Sequence, residues 1–148
     1  MNRSNVFLLT AMFLAISGSA LAETPSKAEY KTAKEAIEAQ YKVDKTACAS
    51  MSGNVKDICI EEAKGRESVA KAELKAKYEP SNEARYEVLA AKADAAYEVA
   101  KEKCDDLSGD AKRACNKEAK STHEAALAEA KSSEKTAEAR QDAASSKR

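Results

Sequence analysis

Cys48-Ala-Ser-Met-Ser-Gly-Asn-Val-Lys-Asp-Ile-Cys59 returns 56 residues later as Cys104-Asp-Asp-Leu-Ser-Gly-Asp-Ala-Lys-Arg-Ala-Cys115. Each stretch has the form Cys-x10-Cys around a Ser-Gly step. The match extends well beyond the cysteines. Tyr30 falls on Tyr86, Tyr41 on Tyr97, Val43 on Val99, and Glu62-Ala63-Lys64 on Glu118-Ala119-Lys120. Between residues 28–76 and 84–132, 18 of 49 positions are identical. Shared Ala and Lys content does not account for the matched Cys, Tyr and Ser-Gly positions, so the chain carries a duplicated supersecondary unit.

Within a unit the apolar spacing is helical. Tyr30, Ala33, Ile37, Tyr41 and Cys48 continue to Met51 in the first copy; Tyr86, Leu89, Ala93, Tyr97, Ala100 and Cys104 continue to Leu107 in the second. Steps of three and four place each set on one face. Gly53 and Gly109 suit the left-handed residue that closes a helix, and Asn54 and Asp110 suit the N-cap of the next. The second helices carry Val55, Cys59, Ala63 and Val69-Ala70, or Ala111, Cys115, Ala119 and Ala126. A short turn sets the two helices antiparallel. Pro80 separates the units, since it disfavours helix in the residue before it, and Ser81 or Asn82 can cap the next helix. The expected fold is therefore all-α: two tandem antiparallel hairpins, four long helices, over residues 23–79 and 80–131. The first helix is expected to run about 26 residues, roughly 39 Å. After Lys131 no apolar stripe is visible, and 132–148 reads as a frayed or flexible tail.

The cysteines are symmetric about the turn in both copies. Cys48 stands as far before Gly53 as Cys59 stands after Asn54, and Cys104 and Cys115 repeat the relation. Residues equidistant from a tight antiparallel turn face one another, and Ala-rich neighbours permit the approach of about 4.4–6.8 Å between Cα atoms that a disulfide needs. The favoured pairing is Cys48–Cys59 with Cys104–Cys115; pairing between units is the rival. Each closed loop is expected to add about 3 kcal/mol in the chain-entropy model.

Composition narrows the function. Charged residues make up 34% and aromatics 5%, there is no Trp, and 25 Lys plus Arg balance 25 Asp plus Glu. Such a chain builds a thin seam between helices, not a thick core. It also lacks the cationic surplus that nucleic acid requires. Arg3, the apolar run Val6–Ile16 and Ala20-Leu21-Ala22 form a secretory signal over 1–22, with cleavage expected after Ala22. The apolar run is short of the roughly 20 residues of a membrane span. The mature protein is expected to be exported to the periplasm without membrane insertion; full secretion is the alternative destination.

No chemical motif stands out. There is no Gly-rich phosphate loop, no Gly-x-Ser-x-Gly and no Cys-x-x-Cys, so redox catalysis is not indicated. A spacing of ten is unlike the Cys-x2–4-Cys of structural zinc sites, and the single His123 falls opposite Glu67 in the other copy. It reads as a solvent-facing helical histidine. No cofactor and no metal are expected, and the protein reads as non-enzymatic. Tyr30, Tyr41, Tyr86 and Tyr97 lie on the apolar stripe; packing is one role for them, and a strip for contact with another helix is the sharper one.

The segments Tyr-Lys-Val-Asp-Lys-Thr-Ala-Cys from Tyr41, Ser-Gly-Asn-Val-Lys-Asp-Ile-Cys from Ser52 and Val-Ala-Lys-Ala-Glu-Leu from Val69 resemble small exported proteobacterial proteins of unknown function. These are Ala/Lys/Glu-rich, with repeated Cys-x10-Cys hairpins, and are labelled hypothetical or TolA-like cell-envelope proteins. The TolA-like label follows composition and implies no bridging function. The family pattern continues into a third Cys hairpin after a segment like Glu138-Ala139-Arg140-Gln141-Asp142; the resemblance implies that this member lacks that unit and that its tail is a leftover linker. It brings no catalytic residues. The expected function is an envelope-associated or stress-related interaction module with a protein partner; the alternative is a metal- or small-ligand-binding protein using reduced cysteines.

Overall fold

A computed structural model describes residues 24–147. The signal segment 1–22 and its cleavage site lie outside the described residues. Four helices follow one another: α1 (Lys27–Cys48), α2 (Gly53–Tyr78), α3 (Asn82–Cys104) and α4 (Gly109–Ser145). The chain is all-α, and consecutive helices pack antiparallel, α1 on α2, α2 on α3, α3 on α4. Among the described residues no other helix pair touches. The four helices thus form a single open layer rather than a closed bundle. The α2–α3 seam is the most extensive, so the two hairpins pack side by side.

Local chemistry sets the helix starts. Ser26 makes a capping box with Glu29: its Oγ accepts from the Glu29 amide at 3.3 Å, and its own amide donates to Glu29 Oε2 at 2.8 Å. That bond to the Ser26 amide holds the Glu29 carboxyl below its ordinary range. Ser81 caps α3, its Oγ accepting from the Ala84 amide at 2.9 Å, while Pro80 breaks the chain just before it.

The hairpin turns differ from expectation. α1 ends at Cys48, 22 residues long, and α3 ends at Cys104. The exit is tightened by short bonds, the Met51 amide to the Cys48 carbonyl and the Leu107 amide to the Cys104 carbonyl, both 3.0 Å. Gly53 and Gly109 do take left-handed φ, +59° and +56°, but they open the second helices instead of closing the first. Asn54 is not an N-cap. Its Nδ2 donates across the seam to the carbonyl of Glu102 in the last turn of α3, at 2.7 Å, where a helix end leaves acceptors unfilled.

The core is thin. Its buried apolar residues are Cys48, Ala63, Ala84, Ala93, Cys104 and Ala130. Small side chains let backbones approach: a Cβ added to Gly65 of α2 would come within 2.7 Å of Ala95 Cβ on α3. Met51, Val55, Leu89 and Leu107, placed on the apolar stripe by their spacing, stay 40–64% exposed. An open layer gives them no second layer to bury against.

The tail expectation is corrected. α4 continues without a break through 132–145. The repeat supplies the reason. The positions of Tyr78-Glu79-Pro80 in the first copy are held by Glu134-Lys135-Thr136 in the second, so no proline stops the helix. Glu134 is buried and paired with Lys131, and Gln141 Oε1 accepts from Asn82 Nδ2 at 2.9 Å. This segment packs along the start of α3 as part of the layer.

Candidate functional site

The cysteines are oxidised within each hairpin. Cys48 bonds Cys59 with Cα atoms 5.7 Å apart, and Cys104 bonds Cys115 at 5.6 Å. Cys48 and Cys104 are fully buried; Cys59 and Cys115 reach the surface. Among the described residues no cysteine is free, and no group of three His, Cys, Asp or Glu side chains is placed to hold a metal ion. Two disulfides point to an oxidising, extracytoplasmic location. No described helix is long and apolar enough to cross a membrane.

Tyr30, Tyr41, Tyr86 and Tyr97 are all half-buried in the seams. Tyr30 meets Tyr78 of α2 with ring centroids 4.5 Å apart. Tyr41 lies under Lys45, at 5.9 Å. Tyr86 has the Lys131 ammonium 5.1 Å from its ring, and that ammonium also pairs with Glu134, which holds Lys131 protonated above its ordinary range. Tyr97 carries Lys101 at 5.3 Å and stacks on His123 at 4.7 Å. Much of each ring is thus already engaged within the layer.

His123 is not solvent-facing. Its side chain is 18% exposed, and its Nε2 stands 2.6 Å from Asp94 Oδ1 on α3. The first copy has Glu38 and Glu67 at the corresponding places, and there Lys71 bridges both carboxylates at 3.7 and 2.7 Å. Lys71 is held above its ordinary pKa chiefly by Glu67. The two hairpins thus solve one cross-helix position in two ways.

A groove of about 270 Å³ runs along the α3–α4 seam from the Cys104–Cys115 disulfide. Methyl groups of Ala93, Ala100 and Ala119 form its floor, the Tyr97–His123 stack lies on its wall, and Glu118 and Thr122 stand at its rim. Neither lysine nor arginine lines it. Spacing alone assigned these alanines to packing. The signal that marks the groove is the difference between the copies: Ala93, Ala100 and Thr122 stand where the first hairpin has Ile37, Asp44 and Arg66. In the first hairpin Arg66 Nε donates to Asp44 Oδ2 at 3.0 Å, joining α2 to α1 at the corresponding positions.

Against known proteins, no family model, no curated protein and no solved structure matches this chain.

Proposed function

We propose that this protein is a non-enzymatic periplasmic interaction module of the cell envelope, exported by a signal peptide over 1–22 that is cleaved after Ala22, and acting by contact with a protein partner. One observation carries the reading. The single open layer leaves large apolar side chains uncovered, and three of them, Met51, Val55 and Leu107, gather at the hairpin-tip end. The Asn54–Glu102 bond ties those two tips together, and the disulfides sit directly behind them. Apolar side chains grouped at one end of an otherwise charged protein form the kind of patch that marks a contact surface, which singly scattered ones do not. The oxidised cysteines and the signal-like N-terminus support export, and the resemblance to exported envelope proteins supports the same compartment. The alternative that uses reduced cysteines finds all four sulfurs committed to disulfides.

Photo-crosslinking in living cells tests this. A photoreactive residue at Val55 or Leu107 should capture one defined protein, and the same residue at Lys117, on the charged surface, should not. Equal capture at all three positions, or none at the tips, contradicts the reading. N-terminal sequencing of the exported protein should begin at Glu23.

A further inference from the structure

The duplicated hairpin provides an internal control for the α3–α4 groove. In the first copy the corresponding positions hold Ile37 and the Arg66–Asp44 pair, which joins α2 to α1. The second copy keeps the frame, namely the tyrosine, the disulfide, the alanine at 119 and the glutamate at 118, but has Ala93, Ala100 and Thr122 in place of Ile37, Asp44 and Arg66. Three larger side chains of the first hairpin are thus replaced by smaller ones in the second.

What remains has a definite chemistry. The floor is methyl groups and a disulfide, so the body of an occupant must be apolar. The volume, about 270 Å³, matches one ring with a short chain, at the low end of ligand pockets, which run upward from roughly 300 Å³. The rim is acidic. No ion pair or hydrogen bond engages the Glu118 side chain among the described residues, and Asp94 lies beside His123 at the same seam. No lysine or arginine lines the groove, and Lys101, over the Tyr97 ring, is paired with Glu98. The uncompensated charge at the mouth is therefore that of Glu118, and the field there favours a positive group. Arg66 of the first copy has the same character: an arginine side chain is an apolar stem ending in a cation.

We propose that the α3–α4 groove is a binding site for a small organic cation with an apolar body, such as an arylalkylammonium, seated on Ala93 and Ala100 with its charge toward Glu118. The disulfide serves as part of the floor and undergoes no chemistry, which sets this site apart from any that would need free thiols. It is also separate from the hairpin-tip surface, so either can fail without the other.

The test uses the full mature chain and phenethylammonium as probe, with 2-phenylethanol as its neutral counterpart. Binding is read by NMR and by calorimetry. His123 is the chain's one histidine, so its ring protons report on the groove without assignment ambiguity. The wild type should bind the ammonium saturably at one site, shift the His123 and Tyr97 rings, and prefer it over the alcohol. Glu118→Gln should reduce that preference by up to about fivefold, the range of one exposed ion pair. The triple change Ala93→Ile, Ala100→Asp and Thr122→Arg, which copies the first hairpin, should abolish binding while helicity is retained. Glu118→Gln alters an exposed residue and keeps the test usable should the triple variant not fold. Absence of saturable binding at about 10 mM probe, equal binding of alcohol and ammonium, or shifts that spare His123 and Tyr97 would each overturn the proposal.

Discussion

Gly65 and Ala95 mark a close approach of the two hairpins: the place where a Cβ on Gly65 would stand is 2.7 Å from the Ala95 Cβ and 3.4 Å from its Cα. The obstruction is another helix's backbone and first side-chain atom, neither of which can rotate away. Gly65→Ala gains up to about 1 kcal/mol of helix propensity, but overpacking of this kind costs about 1–3 kcal/mol. A net loss of about 1 kcal/mol is expected in urea unfolding. Adding Ala95→Gly should recover part of it, because the second change reopens the space that the first one filled. Independent, additive effects of the two changes would show that the seam is not close-packed.

Asn54 joins the two hairpin tips through one hydrogen bond, from its side-chain amide to the Glu102 carbonyl. Asn54→Ala should cost about 1 kcal/mol. Asn54→Asp should cost more, since a carboxylate cannot donate and would face an unfilled helix C-terminus. The second copy has Asp110 at this position, where it pairs with Arg113 instead. Equal urea midpoints for the two variants would argue that the bond contributes little.

Asp44 gives a pH dependence with a definite sign. Its carboxylate accepts from Gln40 Nε2 at 2.7 Å and from Arg66 Nε at 3.0 Å. These partners, Gln40 foremost, lower its pKa in the folded state below the ordinary 3.8. A depressed folded pKa means the stabilisation is fully present above the unfolded value and is lost as pH falls through the folded one. Stability measured from pH 6 downward should therefore decline less steeply in Asp44→Asn than in the wild type below about pH 4. The two should run parallel above that. Identical acid limbs would remove Asp44 from the account.

Residues 132–141 are expected to be protected from hydrogen exchange, because α4 packs on the start of α3 there. Deleting 132–148 removes Glu134 beside Lys131 and Gln141 from Asn82. The truncated chain should unfold at lower urea, by about 1–2 kcal/mol for the lost contacts, and exchange should quicken at Asn82–Tyr86. Unprotected amides throughout 132–141 in the full chain would restore the picture of a loose tail.

The architecture is largely legible because duplication makes the sequence comment on itself. Two copies of one spacing point to the hairpins, and the symmetry of Cys48 and Cys59 about the turn points to their pairing. Legibility ends where faces and neighbours decide the outcome. Gly53 is recognisable as a left-handed residue, but here its positive φ stands at the opening of α2 rather than at the close of α1. His123 reads as exposed because spacing does not reveal which partner helix will cover a residue; Asp94 and Tyr97 do so. The tail lacks an apolar stripe, yet Thr136 in the position of Pro80 is the informative residue, since without the proline the helix runs on. The groove is hidden for a related reason: alanines on a stripe look like packing until one copy is laid over the other.

Because, among the described residues, each helix touches only its neighbours in the chain, the layer is quasi-one-dimensional. Its stability is approximately a sum of three seams, with no contact that closes the first helix on the last. A change in α1 can therefore reach α4 solely by passing through α2 and α3. Loss of an outer helix leaves the rest of the array nearly intact, so melting should proceed inward from the edges, with the α2–α3 seam the last to open. The same geometry keeps contacts local in sequence, which favours rapid folding, and it makes the array one that can grow or shrink by whole hairpins without redesign of those that remain.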